Sequence, residues 1–509
     1  VETLLRFLND PSMRPSARYA LEFIGQFLNL PMLAAGIALF VLSWMGTRKK
    51  PLVLASCAYL AFAAAWARQP RQKIVSLESE QESSKEEEAP PPSTPRPAQD
   101  YAALKLTPDP FYDGKREAPP PPVTDPPPPE EAGITSPKAF FKREAKRVVA
   151  IPAPSEGSPP FDIFILHVCS LSWMDAKDSG SDLVPFFSRF DYVFTDFSAA
   201  CSYSGPAALR VLRAACGQPA HMKLYDNVPA ECYLMDKLRE AGFKTYAMAS
   251  HNGKYDHFAA NSRKFGRADM PLGIKGLPVA YELFNGSPMT PDDAALRRFW
   301  EARLDSKAPR AAVYFNTANL HMGTHKPGAS RGPDDIASYK ERLGAMLAQF
   351  EGFFSEVEKS GRNAVVIFVP EHGAALTGTK MQAKDVRDIP LPPIATVPVA
   401  VRLIGKRYFT GTEGPQVITK PASFLALAWL IAEFLRHNPY SVEARKPEAV
   451  AAEVPVTGFF AEDENASVMR MPSGYVYKLK NGDWTALPEY ALTPPGTIPS
   501  PRDFKKAAR

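Results

Sequence analysis

Cysteine is scarce in this 509-residue chain: there are five, Cys57, Cys169, Cys201, Cys216 and Cys232. So few exclude a disulfide-built scaffold, and their spacing matches no zinc finger, so each is read singly. A basic block is also lacking. The formal net charge of +5 is spread over the whole length, and no nucleic-acid partner is expected. An initiating methionine is missing too; the chain opens on Val1, which is read as a truncated N-terminus. Proline is the opposite case. Its 52 copies are roughly twice average usage and gather between residues 90 and 137.

Taken in order, residues 1–73 read as a membrane region. Phe27 to Met45 and Pro51 to Ala67 are almost uninterruptedly apolar. At about 1.5 Å rise per residue, runs of roughly 17 to 20 residues match the hydrocarbon thickness of a bilayer, so two transmembrane helices are expected at 27–45 and 51–67. Arg48-Lys49-Lys50 between them would lie on the cytoplasmic side and leave the remainder outside. Residues 74–139 carry Glu86 to Glu88 and then blocks such as Pro119 to Pro122. Such a stretch cannot bury enough apolar surface to fold; it reads as a disordered, semi-rigid tether on the order of 100 Å when extended.

From residue 140 to 509 the pattern becomes strand alternating with helix. Phe161 to Val168 is a near-continuous apolar strand of the kind buried in a parallel sheet, and Cys169 stands at its exit. Tyr192 to Phe197 is a second strand. The run from Cys201 to Cys216 then opens a helix, with Ser204 expected at the N-cap and Gly205-Pro206 in the first turn. Further strands are expected at Thr245 to Ala249, Ala311 to Phe315, Ala364 to Val369 and Val397 to Ile404. Helices are expected from Cys232 to Gly242, from Thr290, over 335–360 and over Ser423 to Leu435, and Asn481-Gly482 suggests a closing hairpin. The fold class is α/β, a doubly wound sheet whose ligands belong at the C-terminal ends of its strands.

Those strand ends carry chemistry. Cys169, Ser204 and Glu371-His372 bring thiolate, hydroxyl, carboxylate and imidazole to one edge, a set that Zn²⁺ accepts. Ser204 at a helix start would face free backbone N–H groups and the positive end of the dipole, which suits attack on a phosphate. On the motif alone, an ordinary capping serine is the alternative.

These residues resemble the alkaline phosphatase and sulfatase superfamily. Within it, Leu166-His-Val-Cys169-Ser-Leu-Ser-Trp173, Ser202-Tyr-Ser-Gly-Pro-Ala-Ala-Leu-Arg-Val-Leu-Arg-Ala-Ala-Cys216-Gly-Gln, His251-Asn-Gly253, Pro370-Glu-His-Gly373 and Arg387-Asp-Ile-Pro390 are similar to the cellulose phosphoethanolamine transferases of bacterial cellulose-synthase operons. The resemblance is strongest from 161 to 405. It implies a nucleophile at Ser204 and one Zn²⁺ surrounded by Cys169, Ser204, Glu371 and His372. It also implies a Cys216–Cys232 disulfide in the periplasm and a substrate pocket lined by Tyr203, His321 and Arg387, with His325 and His251 as further candidates. The implied reaction moves phosphoethanolamine from phosphatidylethanolamine to the C6 hydroxyl of cellulose, beside an inner-membrane cellulose synthase complex, with the catalytic domain in the periplasm. Cys201 lies outside the family pattern; it is read as a free, partly buried thiol, with mispairing to Cys216 or soft ligation as alternatives.

Two other functions stand beside transfer. A sulfatase or phosphodiesterase would share the fold, but Ala208 occupies the position where the sulfatase pattern Cys/Ser-x-Pro-x-Arg needs arginine. A non-catalytic membrane subunit of the synthase complex would need the helices and not the ligand set.

Overall fold

The computed structural model describes residues 136–329, 336–410 and 414–508. The two apolar spans expected at 27–45 and 51–67, and the Pro-rich tether as far as residue 135, lie outside the described residues. Among the described residues, no helix is long and apolar enough to cross a membrane. Pro137–Glu144 is a helix capped by the Ser136 hydroxyl, so residues 137–139, expected to be disordered, are helical.

In chain order the strands are β1 (Phe161–Val168), β2 (Tyr192–Ser198), β3 (Lys244–Ala249), β4 (Tyr281–Glu282), β5 (Pro288–Met289), β6 (Ala311–Thr317), β7 (Asn363–Pro370), β8 (Thr396–Ile404) and β9 (Gln416–Ile418). Four more follow: β10 (Phe460–Glu462), β11 (Ala466–Met471), β12 (Gly474–Leu479) and β13 (Thr485–Ala486). Seven of them form one sheet in the order β3-β6-β1-β7-β8-β2-β9. β3, β6, β1 and β7 pair in parallel, whereas β8 runs antiparallel to both β7 and β2. The sheet is therefore mixed, with β8 reversed. Two reversals restore the direction of β2, so β1, β2, β3, β6 and β7 all deliver their C-terminal ends to one edge.

The period of two in β1 explains why both faces are covered. Phe161, Ile163 and Ile165 enter one core with helices Ser204–Leu212, Leu234–Glu240 and Phe424–Arg436. Phe164, Leu166 and Val168 enter the other, against helices Asp292–Asp305 and Ile336–Lys359. The charged exception on β1 is Asp162, fully buried. Arg303 grips it through two bonds of 2.9 and 3.0 Å, and Arg362 adds a third at 3.1 Å, so the ion pair ties β1 to a covering helix and to the turn before β7.

Several boundaries move by one or two residues from expectation. The helix expected at Thr290 starts at Asp292 behind Pro291, and the one expected from Cys232 starts at Leu234 after a short 3₁₀ turn. A second sheet, β10-β11-β12-β13, is the larger addition. Only its β12–β13 hairpin around Asn481-Gly482 was signalled by turn chemistry. Its inner face packs Phe459, Val468 and Leu487 against Leu391 and Ile394 beside β8.

Cys216 and Cys232 form a disulfide with their Cα atoms 4.9 Å apart. The bridge closes a separation of 16 residues between the Ser204 helix and the next one. Chain entropy assigns a loop of this length about 3 kcal/mol. Cys232→Ser should lower the unfolding free energy by roughly that amount in denaturant titrations. An unchanged midpoint, with and without reductant, would show the bridge to be thermodynamically idle.

Candidate metal and nucleophile site

Backbone pairing at the sheet edge sets the site. After β1, the Cys169 N–H donates to the Thr317 carbonyl at 2.9 Å. After β7, the Glu371 N–H donates to Val168 at 2.8 Å, and the His372 carbonyl accepts from Leu171 at 2.7 Å. The next residue must be glycine: a Cβ on Gly373 would lie 2.7 Å from Ser172 Oγ and 2.8 Å from Asp175 Oδ2. Asp175 earns this closeness by accepting the Ala374 N–H at 2.8 Å, which pins the turn carrying His372. β2 feeds its exit through Ala200, in the left-handed region at φ 60°, into Ser202 and Tyr203. There the Ser202 N–H donates to Asp463 at 3.1 Å, and the Ser202 hydroxyl sits between the Asp463 carboxylate and the Arg387 carbonyl, the latter at 2.5 Å.

Ser204 is not the N-cap. Tyr203 holds that position with extended backbone, and Ser204 is the first residue of the helix Ser204–Leu212. A side chain at this place has no capping bond to make. Its hydroxyl instead lies 3.4 Å from Cys169 Sγ and 3.4 Å from His372 Nε2. The ligand atoms of Cys169, Glu371 and His372 all lie within 4.8 Å of one another, and the three side chains are fully buried.

Burial decides the protonation of this cluster. It pushes the Cys169 thiol well above its ordinary range, and the neighbouring Glu371 charge adds to the shift. It raises Glu371 to about 7, against the pull of Ser204 and Asn316. It also holds His372 far below the imidazole range, with the Arg387 charge reinforcing the effect. His372 is thus neutral, and its Nδ1 donates to the Gly373 carbonyl at 2.9 Å, which turns the bare Nε2 toward Ser204. Glu371 Oε2 has no partner in hydrogen-bond geometry. A soft thiol, an oriented imidazole nitrogen and an unpaired carboxylate oxygen fit a divalent metal ion, which would reverse the effect of burial on the thiol and carboxyl by favouring their deprotonated forms and would take the already neutral imidazole as it stands.

The remaining candidates take distinct places. Arg387 is buried; its guanidinium donates to the carbonyls of Ser202 (3.3 Å) and Ala374 (3.4 Å) and lies 5.8 Å from the Tyr203 ring centre. The Tyr203 hydroxyl donates to Asp388 at 2.7 Å. His321 stacks on Phe284 at 5.2 Å, and burial, with Arg387 next, lowers it to about 3. His325 faces Glu282 at 3.4 Å. His251 is buried, with one ring nitrogen on Asn316 and the other on the Gly253 N–H. Cys201 is free and wholly buried, so it is more enclosed than expected; its Sγ points to the Ala199 carbonyl at 3.3 Å. Asn316, His167 and Asp463 were not singled out from the sequence. For the first two the signal was present, a polar residue near the C-terminal end of an apolar strand; for Asp463 none was.

A family model described as "Cellulose biosynthesis protein BcsG C-terminal domain" matches residues 124–484. The chain belongs to this family. The BcsG of Escherichia coli K12 is 38% identical over 353 residues, and that of Salmonella typhimurium LT2 is 36% identical over the same number; in each case the match covers 69% of this chain. The match spans 62% of the length of these curated relatives. Among solved structures, an alkaline phosphatase superfamily protein from Vibrio parahaemolyticus overlaps at a TM-score of 0.45 with 16% identity, covering 71% of this chain and 88% of that one. The zinc complex of the periplasmic domain of Escherichia coli EptC gives 0.42 and 15%, covering 64% and 98%. Overlaps this loose carry nothing about chemistry. For this BcsG-family chain, the geometry of the cluster predicts about one tightly held divalent metal ion per purified chain by elemental analysis, and its loss in Cys169→Ala or His372→Ala through an incomplete shell. Undiminished metal in both variants would place the site elsewhere.

Proposed function

We propose that this chain transfers phosphoethanolamine from phosphatidylethanolamine to the C6 hydroxyl of cellulose, through a covalent ester on Ser204, with zinc held by Cys169, Ser204, Glu371 and His372. One observation carries the reading: a serine hydroxyl at a helix start, released from capping, lies 3.4 Å from both the thiol and the imidazole of a buried ligand cluster. The family's description supports a place in cellulose biosynthesis.

In the first half-reaction, Ser204 Oγ loses its proton and forms a bond to phosphorus while the bond from phosphorus to the diacylglycerol oxygen breaks, and that oxygen takes up a proton, so the step releases none overall. In the second, the C6 hydroxyl oxygen attacks the same phosphorus and loses its proton, and Ser204 Oγ leaves and is reprotonated. Free N–H groups at the start of the Ser204 helix and the Arg387 guanidinium supply positive potential to the phosphoryl oxygens in both steps. Zinc, when bound, would lower the pKa of the serine hydroxyl and polarise a phosphoryl oxygen. Tyr203 and His321 line the approach, Tyr203 held by Asp388 and His321 by its stack on Phe284.

The two apolar spans and the Pro-rich tether would fix the site to a bacterial inner membrane, with the catalytic domain in the periplasm and reaching both a lipid headgroup and a polymer leaving the synthase. The Cys216–Cys232 disulfide fits an oxidising compartment. Cells carrying the synthase and the complete protein should make cellulose bearing phosphoethanolamine, visible by solid-state ¹³C and ³¹P NMR, and Ser204→Ala cells should make plain cellulose. Plain cellulose from active protein, with lipid-derived phosphoethanolamine released to water, would turn the reading to a hydrolase.

A further inference from the structure

Glu371 has two oxygens, and the structure treats them differently. Oε1 accepts from Asn316 Nδ2 at 2.5 Å, whereas Oε2 has no partner in hydrogen-bond geometry and lies 3.7 Å from His372 Nε2. The asymmetry traces back to a backbone amide. The Gly253 N–H donates to His251 Nδ1 at 3.0 Å, and a backbone N–H can only donate, so Nδ1 is the bare nitrogen of the ring. Nε2 therefore carries the proton and gives it to the Asn316 side-chain oxygen at 2.7 Å. With its oxygen so occupied, the Asn316 amide must present its nitrogen to Glu371 Oε1 and to the His167 carbonyl, the latter at 3.2 Å.

Each link is fixed by its surroundings. Gly253 sits at φ 69°, and a Cβ there would come within 2.7 Å of the Ala259 Cβ, so the amide that starts the chain of bonds belongs to a residue that has to be glycine. The His251 ring packs on Tyr255 at 5.1 Å and Phe258 at 5.3 Å, and burial lowers its pKa to about 4, so it stays neutral and keeps one tautomer. Asn316 is fully buried on β6, between Ala249 of β3 and His167 of β1.

We infer that His251 is a positioning residue which, acting through Asn316, occupies one oxygen of Glu371 and presents the other to the metal ion. This rests on the metal-site reading above, and it gives His251 a role different from substrate contact. A ligand carboxylate held on its far oxygen cannot rotate or swing into bidentate contact, and it offers the metal one prepared donor.

The test is zinc affinity of the purified full chain, measured by competition with a chromogenic chelator, with thermal melting of the metal-free proteins as the check on folding. Asn316→Leu should weaken zinc binding by about 10- to 100-fold, the usual effect of losing a group that orients a ligand. His251→Ala should weaken it in the same direction, and His251→Gln, which keeps an N–H donor, should recover part of the loss. Because His251 acts through Asn316, the double variant should be no worse than Asn316→Leu alone. Wild-type affinity in folded Asn316→Leu and His251→Ala would overturn the inference while leaving the metal site standing, and additive losses would overturn the linkage. A wild-type chain that takes up no zinc would remove both readings together.

Discussion

Everything at the strand ends depends on one electrostatic constraint: a thiol, a carboxyl and an imidazole are packed at zero exposure within 4.8 Å of one another. Removing such groups from water penalises their charged forms, which is why the thiol and carboxyl are pushed up and the imidazole down. A nearby protein cation, Arg387, tempers the penalty for the thiol and the carboxyl but adds to it for the imidazole, and its hydrogen bonds go to backbone carbonyls. A divalent cation would turn this costly arrangement into a favourable one. The same cation would act on the serine, whose hydroxyl lies 3.4 Å from both the thiol and the imidazole nitrogen.

The scaffold answers that constraint with rigidity. Parallel pairing of β1 with β6 and β7 fixes Cys169, Asn316 and Glu371 at the exits of three adjacent strands. Gly373, Asp175 and the Ser172 cap lock the turn after His372. The Ser204 segment is steadied from a different direction. Asp463, in the turn between β10 and β11, receives the Ser202 N–H, so the small second sheet reaches into the main site as a brace. Ser202 also contacts the Arg387 carbonyl, which couples the serine segment to the loop that carries the arginine.

Much of this was legible in the sequence, for physical reasons that differ by residue. β1 was read to its true ends because a strand buried on both faces is apolar apart from Asp162 and His167 near its two ends, and the period of two then divides its side chains between the cores. Cys169, Glu371 and His372 were legible because chemistry-bearing residues at the exits of parallel strands share an edge. The Ser204 cap was misplaced by one residue, since Ser-Gly-Pro is a good helix start in either frame and the decision lies in the extended backbone of Tyr203. The second sheet was hidden because its strands have two to six residues, too short for alternation to declare itself. His251 was read as a further candidate for the substrate pocket; its tautomer, set by the Gly253 amide, could be read only from the folded backbone.

Ser204 Oγ is proposed as the atom on which the transferred group rests. Peptide mass spectrometry addresses it without reference to the acceptor. The purified full chain is incubated with phosphatidylethanolamine alone, quenched in acid and digested. A phosphoethanolamine ester is expected on the peptide containing Ser204, formed together with diacylglycerol and absent from Ser204→Ala. Diacylglycerol release with that peptide unmodified at every time point, or an adduct on another residue, would contradict it.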